Sequence, residues 1–151
     1  MSSSKFQNLF KPFQVNKVTY KNRIVSAPMT FSLSALDPQV KAFALMAPIA
    51  RFPDWYLYGS ASGVPQGEQK EQFIKSFLPI NPETMIRKSN AQFFLQFALN
   101  DHYISKEQAD QLIKAAPPKA ETHFYPTDHA MKIPAVTEDR LSWLQKVLEL
   151  N

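Results

Sequence analysis

Apolar residues recur along this chain with two periods, and each period predicts a different kind of element. Between residues 91 and 99 the run Phe93, Phe94, Leu95, Phe97, Ala98, Leu99 is interrupted only by Gln96, which predicts a strand buried on both faces. Residues 40 to 49, Val-Lys-Ala-Phe-Ala-Leu-Met-Ala-Pro-Ile, read as a second buried strand closed by Pro48, and residues 121 to 125 as a short third. Elsewhere the spacing is helical. From Gln69 to Leu78 the residues Phe73, Ile74, Phe77 and Leu78 share one helical face, ended by Pro79, and Asn81-Pro82-Glu83 supplies the cap, first-turn proline and early acid of another short helix. Ser105-Lys106-Glu107-Gln108 is a capping box ahead of an apolar face of Ala109, Leu112, Ile113 and Ala116. Thr137 reads as the cap of a last helix with Leu141, Leu144, Val147 and Leu148 at core spacing. Strands alternating with helices predict an α/β layer, with three parallel strands near residues 40 to 47, 91 to 99 and 120 to 125 joined by right-handed crossovers.

The first third is less regular. Phe13-Gln14-Val15 and Val18-Thr19-Tyr20 alternate around Asn16-Lys17 and predict a β-hairpin, followed by an extended run Arg23 to Ala27 that stops at Pro28. Ser34 to Pro38 looks like the end of a helix and a turn, and residues 51 to 67, rich in aromatics, proline and glycine, predict a long irregular connection. A change of character falls near residues 30 to 34.

Composition narrows the functional classes. The 151 residues are 44% apolar and 20% charged, ordinary for one globular domain. Cysteine is absent, so neither a disulfide framework nor a thiolate nucleophile is available. The opening Met-Ser-Ser-Ser-Lys-Phe lacks the apolar core of a secretory leader, and no run of about 18 apolar residues occurs, so a cytoplasmic protein with no membrane partner is expected. The net charge of +4 is spread among acids instead of forming a basic stripe, so no nucleic-acid partner is expected. The three glycines are Gly59, Gly63 and Gly67, which leaves no glycine for a phosphate-cradling loop or a nucleophile elbow elsewhere. Gly59-Ser60-Ala61-Ser62-Gly63 carries alanine where the elbow needs serine, so Ser60 and Ser62 read as loop residues.

The chemistry that is present lies past the ends of two strands. Asp101 follows the residue 91 to 99 strand and His129 follows the residue 120 to 125 strand, an arrangement that sets an acid and a base side by side above a parallel sheet. They are two-thirds of a hydrolytic triad. His102 reads as an exposed loop residue and His123 as a strand residue on the polar face; His123, Asp128 and His129 match no standard metal spacing, so no metal is expected.

Two resemblances add to this reading. Leu9-Phe10-Lys11-Pro12-Phe13, Lys21-Asn22-Arg23-Ile24-Val25 and Ala27-Pro28-Met29-Thr30 resemble the opening of the Old Yellow Enzyme family, flavin-dependent ene-reductases on a TIM barrel. That likeness covers residues 1 to 30 and implies FMN contacts for Pro28, Met29 and Thr30; Phe31 stands where the family commonly has a basic residue, and a whole barrel needs about 250 residues. The cofactor expectation is therefore none, with FMN under the flavin alternative only.

Residues 31 to 151 resemble the C-terminal part of an α/β-hydrolase, of the dienelactone hydrolase and prolyl-oligopeptidase-like branch, through Phe97 to Ser105, Thr122 to Met131 and Asp139 to Leu144. The resemblance implies that Asp101 is the triad acid and His129 the base, with ester, lactone or peptide chemistry in the ancestry. The expected protein is thus a chimera of two segments, 1 to 30 and 31 to 151: a partial α/β-hydrolase fold of about three parallel strands with flanking helices, plus an N-terminal hairpin. Lacking the nucleophile and the oxyanion hole, it is expected to be inactive, with an interaction or structural module as the other alternative. In the parent fold further strands would cover the edge of the residue 40 to 47 strand, so that edge is expected to receive residues 13 to 27 or to pair with a second copy in a homo-oligomer.

Overall fold

A computed structural model describes residues 13–15, 18–20, 30–37, 40–58 and 66–147. Strands β1 (Phe13–Val15) and β2 (Val18–Tyr20) form an antiparallel hairpin, as the alternation there predicts. Helix α1 (Thr30–Leu36) leads to β3 (Ala42–Met46), and α2 (Phe52–Tyr58), α3 (Gly67–Phe77), a 3₁₀ turn (Leu78–Ile80) and α4 (Pro82–Ile86) lead to β4 (Gln92–Ala98). Helix α5 (Lys106–Ala115) connects β4 to β5 (Glu121–Tyr125), and α6 (Pro134–Val147) follows. The second sheet is β3-β4-β5, all parallel, with Phe43 beside Phe93 and Gln96 beside His123.

Residues paired across parallel strands project to the same side, so the register divides the sheet into two faces. One face carries Phe43, Phe93, Leu95 and Phe97 and is covered by Phe31 of α1, Met85 and Ile86 of α4, Ile104, and Ala109 and Leu112 of α5. The Phe93 ring stacks on Phe43 at 5.5 Å and on Phe31 at 6.4 Å. Burying each large side chain here contributes about 1.5–3 kcal/mol. The other face carries Phe94, Gln96, Ala98, His123 and Tyr125 and lies under α6, whose Trp143 stacks on Phe94 at 5.5 Å.

The capping box forms in full: Gln108 N donates to Ser105 Oγ at 3.3 Å and Ser105 N to Gln108 Oε1 at 3.0 Å. Three expectations need correcting. Part of the connection expected to be irregular is helix α2, because Pro53 and Asp54 suit a first turn and the Asn81 side chain accepts from Phe52 N at 3.1 Å. Asn81 is the N-cap residue of α4 as expected, with Pro82 and Glu83 in its first turn and Met85 N donating to the Asn81 backbone carbonyl at 2.9 Å, but its side chain serves α2. Helix α6 starts at Pro134, three residues before Thr137, and buries Val136 and Trp143 while Leu141 is 46% exposed. The face turned inward also includes Asp139, a residue that hydrophobic periodicity treats as outward, because Asp139 binds two strand side chains. Finally, β1 and β2 pair with each other and not with β3, so among the described residues the hairpin does not cover that edge.

Candidate functional site

Both β4 and β5 end at the same side of the sheet, and the ladder continues beyond them: Leu99 N donates to Tyr125 O at 2.8 Å and Asn100 N to Thr127 O at 3.1 Å. This brings the two turns that follow the strands into register. In the first, Asp101 Oδ1 accepts from Tyr103 N at 2.9 Å and Ile104 N at 3.0 Å, so the carboxylate closes its own turn ahead of α5. In the second, Ala130 N donates to Asp128 Oδ1 and Met131 N to Asp128 O, each at 3.0 Å. Met131 sits at φ +51°, a left-handed conformation that costs a non-glycine residue about 1–3 kcal/mol, and its buried side chain packs with Ala98, Tyr125 and Val136.

Between these turns His129 Nδ1 lies 2.8 Å from Asp101 Oδ2 and 3.0 Å from Oδ1. A carboxylate only accepts, so Nδ1 carries the hydrogen of this bond. The Asp101 side chain is 2% exposed and that of His129 32%, an acid enclosed by the protein holding a base that reaches the surface. Tyr103 stands edge-to-face with the imidazole, ring centroids 4.9 Å apart, and the His102 ring tilts on Tyr103 at 3.9 Å. A cavity of about 80 Å³ lies next to Asp101, lined by Phe97, Ile104, Ala109 and Phe124 among others. It is far below the 300–1,000 Å³ or so of a small-molecule site. A larger cavity of about 250 Å³ opens at the opposite end of the strands, between Lys41, Lys88 and Asn90.

A second polar group on the α6 face was not legible as a unit. Gln96, buried in the central strand, donates from Nε2 to Tyr125 Oη at 2.8 Å and to Val136 O at 2.7 Å. Tyr125 in turn donates to Asp139 Oδ2 at 2.9 Å, and His123 Nδ1 is 3.1 Å from the same oxygen. These bonds from Tyr125 and then His123 hold the Asp139 carboxyl below its ordinary value, while burial first, and the nearby Asp139 second, push the Tyr125 phenol up. The single clue in the sequence was a glutamine inside an apolar strand. His123 is therefore tied to α6 and packs edge-on to Phe94 at 5.0 Å.

Of the residues singled out from sequence, Asp101 and His129 are brought together and His102 is exposed beside them. Pro28, Met29, Ser60 and Ser62 lie outside the described residues, and Thr30 is the first residue of α1. Among the described residues no group of three or more His, Cys, Asp or Glu side chains is placed to hold a metal ion. Among them, too, no helix is long and apolar enough to cross a membrane.

No family model and no curated protein matches the sequence. Solved structures do match the fold. An acetyl xylan esterase from Paenibacillus sp. R4 aligns with a TM-score of 0.66 at 15% identity, over 80% of this chain and 42% of that one. The esterase domain of a Rhodothermus marinus protein aligns with a TM-score of 0.60 at 16% identity, over 79% of this chain and 57% of that one. A protein described as a dienelactone hydrolase, from Klebsiella pneumoniae subsp. pneumoniae MGH 78578, aligns with a TM-score of 0.52 at 19% identity, over 82% of this chain and 48% of that one. The three-stranded parallel sheet with its helices is thus a partial α/β-hydrolase fold, and the chain spans about half the length of these structures.

Proposed function

We propose that this is a hydrolase-derived protein in which Asp101 and His129 hold the places of a serine-hydrolase acid and base, with no nucleophile to complete them. The reading is carried by one observation, the 2.8 Å bond between His129 Nδ1 and the enclosed Asp101 carboxylate at the ends of neighbouring parallel strands. In such a pair the carboxylate fixes the tautomer, and the second imidazole nitrogen takes the proton of an attacking alcohol. Esters, lactones or peptides are the substrates that this chemistry serves. The sequence contains no Gly-x-Ser-x-Gly motif, and loss of the nucleophile from a triad costs about 10⁶-fold in kcat. A missing oxyanion-hole donor removes about 3 kcal/mol more of transition-state stabilisation.

On the same reading, residues 1 to 30 are a joined segment without FMN chemistry of its own, and a second copy of the chain pairs along β3. Incubation with a fluorophosphonate followed by intact-mass measurement tests the main claim. The expected mass is that of the unlabelled chain. A stoichiometric adduct on any serine would reveal an activated hydroxyl and overturn it.

A further inference from the structure

Tyr103 touches both members of the acid–base pair by different parts of itself. Its peptide N–H donates to Asp101 Oδ1 at 2.9 Å, and its ring stands against the His129 imidazole with centroids 4.9 Å apart and planes at 70°. The backbone bond sets where the ring can lie, because a residue whose N–H is held two positions after the carboxylate has its Cα fixed relative to that carboxylate. Tyr103 is 38% exposed, and the His102 ring tilts against its ring at 3.9 Å. The residue of the same turn that packs into the core is Ile104, whereas the Tyr103 ring borders one side of the imidazole. A histidine side chain has two rotatable bonds, and a carboxylate bonded to Nδ1 restrains the position of that nitrogen more than the rotation of the ring about the bond.

We propose that Tyr103 is a positioning residue for His129, its ring holding the imidazole in the plane in which Nδ1–H meets the Asp101 carboxylate. The inference rests on the acid–base reading of that pair. It concerns the ring and not the phenol, so Tyr103→Phe preserves the function and Tyr103→Leu removes it.

The test is the exchange of the His129 Nδ1 proton with water, followed by ¹⁵N-edited NMR and assigned through its loss in His129→Gln. Aromatic pairs of this kind are worth enough to alter populations by about two- to tenfold, so Tyr103→Leu is expected to speed that exchange by about the same factor. Tyr103→Phe is expected to restore the wild-type rate. Amide shifts of β4 and β5 report that each variant is folded, and magnetisation transfer between the Tyr103 and His129 rings in the wild-type chain tests the contact without any substitution. An unchanged exchange rate in Tyr103→Leu, or the absence of that ring contact, overturns the role of Tyr103 and leaves the pair intact. A wild-type chain whose His129 carries no Nδ1 proton overturns the acid–base reading, and this inference falls with it.

Discussion

Asp101 receives three N–H groups on two oxygens: Tyr103 N and Ile104 N on Oδ1, and the His129 imidazole across both. Its two tasks are separable by substitution. Asp101→Ala leaves the two backbone donors of the turn and the imidazole without their acceptor, and is expected to lower the unfolding free energy by about 1–3 kcal/mol in urea titrations. Asp101→Asn keeps an oxygen that can accept from Tyr103 N and Ile104 N, and is expected to lose less than half as much. It cannot keep the charge that favours a protonated Nδ1. Equal losses in the two variants would mean that the turn is not held by this side chain. At this scale the sequence was readable where a residue acts within its own turn, as Ser105 and Gln108 do in the capping box. It was silent where a side chain serves an element distant in sequence, as the Asn81 side chain does by accepting from the first residue of α2 across 29 positions.

Helix α6 shows how amphipathic spacing can miss the anchoring residues: of the expected face Leu144 and Val147 are half-buried, Leu141 is exposed and Leu148 lies outside the described residues, while Val136 and Trp143 are buried. Its apolar residues are spread around the helix, and what orients it is Trp143 on Phe94 together with Asp139 on Tyr125 and His123. That anchorage titrates at both ends of the pH scale. Asp139 has a folded value below the ordinary carboxylate value of about 3.9, so its contribution is present above that value and lost as pH falls through the lowered one. Tyr125 has a folded value above the ordinary phenol value of about 10, so its contribution is present below that value and lost as pH rises through the raised one. Thermal melts across pH are expected to show a shallower acid limb in Asp139→Asn and a shallower alkaline limb in Tyr125→Phe. Limbs identical to those of the parent chain would show that the anchorage does not titrate with folding.

The three-stranded sheet has two edges of unlike chemistry among the described residues. Along β5, Glu121 is bridged to Lys146 at 3.2 Å and His123 to Asp139, so charged side chains flank that edge. Strand β3, Ala-Phe-Ala-Leu-Met, has neither charge nor proline within it and pairs on one side only, with β4, among the described residues. Edges of this kind lack the features that normally prevent association. A two-fold antiparallel pairing centred on Ala44 would set Phe43 opposite Leu45 of the second copy, both on the same face. Sedimentation velocity is expected to show a dimer at micromolar concentration and above. A single monomeric species throughout would sink the proposal for this edge.

The chain's own residue order was enough for three strands, their parallel sense, the strand-to-turn positions of Asp101 and His129, and the capped start of α5. Each follows from local periodicity or from neighbours a few positions apart, where backbone geometry alone dictates which side chains meet. Only the tertiary structure decided which face of α6 turns inward, that Asn81 serves α2, that Gln96, Tyr125 and Asp139 form one network, and that Tyr103 stands against His129. These pairings bring together side chains from elements separated along the chain or from loops whose course no repeat describes. Their partners are fixed by how helices settle on the sheet, a balance of contacts that is not written at any one position.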